Sequence, residues 1–138
     1  MAQYFVDIFQ KTSGSGLYDI TKKIRNAYET QSLNNGICVV SILHTSASLI
    51  IQENADSDVL HDICEFFNKL VPYSKNYRHS FEGKDDMPAH IKSLLTTTSH
   101  TFSIKDGKFI LGNWQGIFLF EHRLSPRERK VLCHFIGE

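Results

Sequence analysis

Residues 37–43, ICVVSIL, constrain the fold more than any other segment. The run is nearly continuous in Ile, Val, Cys and Leu. It is too short to cross a membrane as a helix and reads as a strand with both faces covered. Covering it requires partner elements, and the flanking periodicities supply them. Tyr4, Val6 and Ile8 alternate with Phe5, Asp7 and Phe9, which predicts an opening strand. Residues 12–16 are rich in Ser and Gly and predict a turn. Leu17, Ile20, Ile24 and Ala27 or Tyr28 then recur at helical spacing, with Asp19 as the N-cap. Asn34-Asn35-Gly36 ends that helix. A second strand is expected over 48–52. Asp56 caps a helix carrying the stripe Leu60, Ile63, Phe67 and Leu70, limited by Pro72.

Residues 73–86 lack periodicity and read as an irregular connection. Pro88 fits the first turn of a helix bearing Ile91, Leu94 and Leu95. Asp106-Gly107 marks a tight hairpin between two strands, and further strands are expected over 116–122 and 129–136. The order β-α-β-β-α-α-β-β-β-β predicts an α/β or α+β fold, a compact mixed or antiparallel sheet sandwich with packed helices. Phe118, Phe120 and His122 share one parity of their strand, and Ile117, Leu119 and Glu121 the other. That strand therefore needs cover on two sides, from a second sheet or another subunit, and Glu121 and His122 should not project together.

A chain of 138 residues with 41% hydrophobic content buries roughly 68% of its extended surface. One domain over 1–138 is expected, without a disulfide framework. Cys38, Cys64 and Cys133 are embedded in apolar runs and read as reduced core residues. The start, MAQYFVDIFQKT, has no basic region followed by a long apolar one, so a cytoplasmic, non-membrane protein is expected. Fifteen basic against fifteen acidic residues give zero formal charge, which removes the case for nonspecific nucleic-acid binding. The short cluster RERK at 127–130 reads as a solvated turn.

His44, His79 and His90 fall at the ends of predicted elements. Three histidines suit Zn²⁺ or another borderline divalent metal, with Mg²⁺ as the alternative through carboxylates and water. No organic cofactor is expected. The eleven-position spacing of His79 and His90 is not a local zinc signature, and each histidine alone fits a surface or hydrogen-bonded role equally well. Glu53 interrupts an apolar strand before Asn54; it fits histidine orientation, proton transfer or a plain strand-end charge. Asp56 and Asp58 also fit helix capping. Of Asp85 and Asp86, one is expected to cap the Pro88 helix and the other to face the histidines; Asp85 is the candidate carried forward. Trp114 and Gln115 lie between Gly112 and Gly116, where an indole covers an apolar ligand face and an amide hydrogen-bonds, or where the ring simply packs.

The segments HTSASLIIQENADSDV, YRHSFEGKDDMPAHIKSLL and DGKFILGNWQGIFLFEHR resemble the YjbQ/UPF0047 family, in family order and over almost the whole chain. The resemblance implies a compact α/β protein that assembles as a homotrimer, with a polar pocket near subunit boundaries. It matches the family's His–Thr block at His44 and Thr45, and its acidic motif at Glu53, Asn54, Ala55 and Asp56, followed by Asp58. The later histidines match His79 and His90, and the aromatic-amide turn matches Trp114 and Gln115. Ser46 stands where Thr is frequent, and GKDDMPAH replaces the shorter Gly-Asn form. The activity implied is secondary thiamine-phosphate synthesis, joining hydroxymethylpyrimidine diphosphate to hydroxyethylthiazole phosphate with release of pyrophosphate. The roles implied are catalytic for His44, Glu53, His79, Asp85 and His90, and ligand-binding for Thr45, Asn54, Trp114 and Gln115. A metal-dependent hydrolase of a small phosphorylated compound and a nonenzymatic metabolite- or metal-binding trimer are the alternatives. No P-loop is present, so a nucleoside-triphosphatase is not expected.

Overall fold

The computed structural model describes residues 1–73 and 76–138. Its elements are β1 (Ala2–Thr12), β2 (Gly16–Asp19), α1 (Thr21–Glu29), β3 (Gly36–Ile42), β4 (Ala47–Glu53), α2 (Ser57–Leu70), α3 (Asp86–Leu95), β5 (Ser99–Lys105), β6 (Lys108–Phe109), β7 (Gln115–Glu121) and β8 (Arg127–Gly137). The expected irregular connection includes residues 74 and 75, which lie outside the described set. No helix among the described residues is long and apolar enough to cross a membrane.

Two antiparallel sheets form a sandwich. The larger has the order β1-β8-β3-β5-β6 and the smaller β2-β7-β4. Cys38, Val40, Val131, Cys133 and Phe135 from the larger meet Leu49, Ile117 and Leu119 from the smaller in one apolar core. Ile20 and Ile24 close its side from α1. Cys38, Cys64 and Cys133 are all free thiols, the first and last buried. The Asp106-Gly107 hairpin has φ of 51° and 74° at its two turn residues, the positive pair that a two-residue turn between twisted strands requires.

β7 is covered on both parities. Ile117 and Leu119 enter the core, while Phe120 meets Phe67 of α2 edge-on at 5.6 Å. Helices of the same chain therefore supply the second cover, rather than another sheet or subunit. Glu121 and His122 diverge as expected: Glu121 bonds Arg129 and Thr12, and His122 bonds Ser48.

Several expectations are corrected. Leu17 lies in β2, paired with Phe120, and not on a helix; four residues are too few to display a strand period. Helix α1 starts later, and Asp19 accepts the Thr21 N–H at 2.9 Å from just before it. β3 buries Cys38, Val40 and Ile42 but leaves Ile37 40% exposed, so only one of its faces is covered within the chain. RERK is part of β8, and Arg129 is buried against Glu121. Most informative is α3. It buries Asp86, Pro88, Ala89, Lys92 and Ser93, and leaves Leu94 81% exposed. Its inner face is polar because it lies over a polar part of the smaller sheet: Ser93 donates to Ala47 O, and Thr96 donates to Ser48 Oγ.

Candidate functional site

The turn after β3, the segment leading into α3, and the end of β7 meet at one place. Asp86, at the start of α3, points its Oδ2 at two histidines: His79 Nε2 at 2.5 Å and His90 Nε2 at 3.2 Å. The i,i+4 spacing of Asp86 and His90 puts both on one face of the helix. One donor atom from each of His79, Asp86 and His90 lies within 4.8 Å of the others. His90 Nδ1 lies 2.9 Å from the Thr45 carbonyl oxygen. A carbonyl only accepts, so Nδ1 carries a proton, and Nε2 is the nitrogen turned to the shared centre. This is the orientation that metal-ligating histidines adopt.

Arg123 holds the acidic pair. Its Nη1 donates to Asp86 Oδ1 at 2.6 Å, Nε to Asp85 Oδ2 at 2.9 Å, and Nη2 to the Glu82 carbonyl at 2.9 Å. Asp85 also accepts the Leu124 N–H at 2.8 Å. Burial by itself would raise the pKa of Asp86, but hydrogen bonding from His79 and the Arg123 charge outweigh it and hold the carboxyl below its usual range. A carboxylate kept ionised, with two imidazole Nε2 atoms turned toward it, is a donor set suited to Zn²⁺, whose bonds to N and O are about 2.0–2.2 Å. Behind it, Glu121 accepts from Arg129, Thr12 and the backbone N–H groups of His122 and Arg123. Arg129 in turn donates to Ser46, which ties the turn after β3 to the floor of the site.

Of the pair Asp85 and Asp86, it is Asp86 that faces the histidines. Asp85 takes the N-cap position of α3 without a side-chain cap bond and is engaged by Arg123 instead. His44 stands outside the trio. Its Nε2 accepts the Lys130 N–H at 2.8 Å, leaving Nδ1 as the protonated nitrogen and His44 as a donor. Burial, followed by the Arg129 charge, pushes its pKa down and keeps the ring neutral.

The remaining expected residues form a separate group. Glu53 pairs with Gln115, and Asn54 donates its N–H to Trp114 O at 3.0 Å. The Gln115 side chain is used within its own turn, accepting the Gly112 N–H at 2.8 Å. A Cβ at Gly116 would lie 2.8 Å from the Phe118 ring and 3.1 Å from Asn54 Cβ, so glycine is needed for this close approach. Asp56 caps α2 by accepting the Asp58 N–H. Along β4 and β7, Ala47 pairs with Glu121 beside the trio and Glu53 with Gln115 at the far end. Six residues of strand separate the two ends, roughly 20 Å. One chain therefore does not bring Glu53, Asn54, Trp114 and Gln115 to the histidines.

Sequence pattern alone assigns no buried partner to Arg123 or Arg129. The available signal was EHR closing an otherwise apolar strand: charged residues there need buried partners, and the Asp85-Asp86 pair offers them.

Two cavities flank the trio. One, of about 360 Å³, is lined by His44, Thr45, Met87, His90, Ile91 and Leu94 among others. The second, of about 490 Å³, includes His79, Tyr77, Ser80 and Lys84 in its wall.

The UPF0047 protein YjbQ-like family matches residues 7–138. A UPF0047 protein of Synechocystis sp. is 52% identical over 92% of this chain and 87% of its own length. YjbQ of Escherichia coli is 39% identical over 94% of this chain and 99% of its own. A YjbQ/UPF0047 protein of Clostridium acetobutylicum has a solved structure with TM-score 0.88 and 38% identity, covering 95% of this chain and 99% of that one. A YbjQ-like protein of unknown function from Sulfolobus solfataricus gives TM-score 0.92 at 27% identity, with 99% of both chains covered.

Proposed function

The chain belongs to the YjbQ-like UPF0047 family, and from that premise we propose that it is a metal-supported enzyme acting on small phosphorylated compounds, with a thiamine-phosphate synthase type of condensation as its reaction. The convergence of His79, Asp86 and His90 on one point carries this reading. A bound divalent ion would neutralise negative charge on a phosphate or leaving diphosphate. His79 and His90 supply nitrogens, Asp86 supplies the carboxylate, Thr45 fixes the His90 tautomer, and Arg123 keeps Asp86 ionised. His44 Nδ1–H offers a neutral hydrogen-bond donor beside them. A homotrimer, implied by the family resemblance, would bring the Glu53–Gln115 end of one copy toward the trio of another.

Metal content of purified protein tests the ligand set. His79→Ala, Asp86→Ala and His90→Ala should each lower zinc occupancy, while His44→Ala retains it. Full occupancy in the first three would defeat direct ligation. For the reaction, protein is supplied with hydroxymethylpyrimidine diphosphate, hydroxyethylthiazole phosphate and divalent ions, and product is followed by mass. Joined product that falls to background in His90→Ala supports the synthase reading. Phosphate release without joining favours a hydrolase, and binding without any chemical change favours a nonenzymatic role.

A further inference from the structure

A second polar cluster lies apart from the trio, between the smaller sheet and the two helices that cover it. Lys92 of α3 is 2% exposed, and His122, just past β7, is 1% exposed. Neither lines a cavity beside the trio, nor do Ser48 and Asn68. Lys92 Nζ donates to Asn68 Oδ1 of α2 at 2.8 Å and lies over the Tyr73 ring at 5.1 Å. Both partners are neutral, and no carboxylate pairs with Lys92 among the described residues. Cys64, one turn before Asn68, does not supply the charge, because burial pushes its pKa up and keeps it a thiol. An enclosed ammonium without a counter-charge is costly. His122 shows a matching gap. Thr96 shares its proton between Lys92 O and Ser48 Oγ. The Ser48 proton is then free for His122 Nε2 at 2.9 Å, which puts the ring's own proton on Nδ1. That buried N–H has no acceptor among the described residues. The two gaps are neighbours: after burial, the Lys92 charge is the largest influence keeping the His122 ring neutral.

We infer that a halide-sized monovalent anion binds between α2, α3 and the smaller sheet, in contact with Lys92 Nζ and His122 Nδ1. One positive charge calls for one negative charge, and two N–H donors call for an acceptor. A single small anion meets both needs. With both side chains enclosed, the site selects a spherical ion over a larger oxyanion. The ion has a structural consequence. α2 has no fully buried residue, and its contacts with the rest of the chain include Phe67 on Phe120 and Asn68 on Lys92. An anion on Lys92 fixes the α3 side of that second contact, so halide fastens α2 to the molecule. The assignment is independent of the metal reading, since none of these residues belongs to the trio.

Bromide in place of gluconate, at constant ionic strength and with the whole wild-type chain, tests this. The thermal midpoint should rise by about 4 °C at a bromide concentration ten times the dissociation constant, and chloride should act in the same direction. Crystals soaked in bromide should show an anomalous peak touching Lys92 Nζ and His122 Nδ1. Lys92→Met should lose both the peak and the midpoint shift. If that variant fails to fold, the wild-type crystal still decides. A water at the position without anomalous signal, an empty position, or bromide bound elsewhere as an adventitious ion only would each overturn the inference. So would a bromide shift of the same size in Lys92→Met.

Discussion

Replacing Arg123 with alanine would leave two carboxylates without their shared partner, one of them almost fully buried. Removing one member of a buried ion pair costs about 3–5 kcal/mol, and a fall of that size is expected in urea unfolding of Arg123→Ala. His122 makes a separate prediction. Burial, then the charges of Lys92 and Arg129, lowers its pKa to about 3. The unfolded chain takes up this proton near pH 6.5 and the folded chain does not. Stability from His122 is therefore complete above pH 6.5 and declines as pH falls toward 3, by roughly 1.4 kcal/mol per unit. His44 shifts in the same direction and adds to the loss. His122→Gln should flatten the slope of stability against pH between 6.5 and 4, measured by denaturant midpoints; an unchanged slope would show that His122 is not held neutral. At this scale His79, His90 and the acidic pair were legible as residues at element ends, while His44, expected with them as a ligand, stands apart from the cluster. Which carboxylate faced inward was not legible, since adjacent residues differ only in where the helix begins.

At the scale of elements, hydrophobic period located α2, β3, β4, β7 and the β5–β6 hairpin, and local chemistry identified Asp56 as a cap. Asp56→Ala should lower stability by about 1 kcal/mol without changing metal content; a loss of metal would assign it to the site instead. The period failed at β2 and α3 for different reasons. β2 is held by its ladder to β7, from Gly16↔Glu121 to Asp19↔Phe118, a contact so distant in the chain that no local pattern encodes it. The buried face of α3 carries Asp86, Lys92 and Ser93, because Lys92 donates to Asn68 Oδ1 at 2.8 Å and lies over the Tyr73 ring at 5.1 Å. A buried lysine satisfied by an amide and a ring reads in sequence as a surface residue.

The whole molecule leaves the outer side of the larger sheet open. Phe5, Phe9 and Ile37 are exposed there, and Phe5 stacks on His134 at 4.2 Å. Burying such a surface contributes roughly 25 cal/mol per Å² before association costs. A closed trimer is the expected assembly, and native mass measurement checks it; Phe5→Asp should shift the population toward monomer. A wild-type monomer across a wide concentration range would defeat both the assembly and the joining of the two separated groups of candidate residues. Sequence order foretold the strands other than β2, and of their neighbours only the β5–β6 hairpin. β8 lies between β1 and β3, an arrangement that depends on packing across the full chain.

That placement of β8 has a consequence for synthesis. β1 pairs with β8 from Ala2↔Gly137 to Thr12↔Arg127 and has no other strand neighbour among the described residues. On the ribosome, Phe5 and Phe9 must wait unpaired while everything between Thr12 and Arg127 is made, on the order of ten seconds at roughly 5–20 residues per second. The smaller sheet, whose strands end at Glu121, is complete in the nascent chain before the larger one can close. A released chain truncated near residue 126 should therefore already protect β7 amides from exchange while β1 remains open to protease.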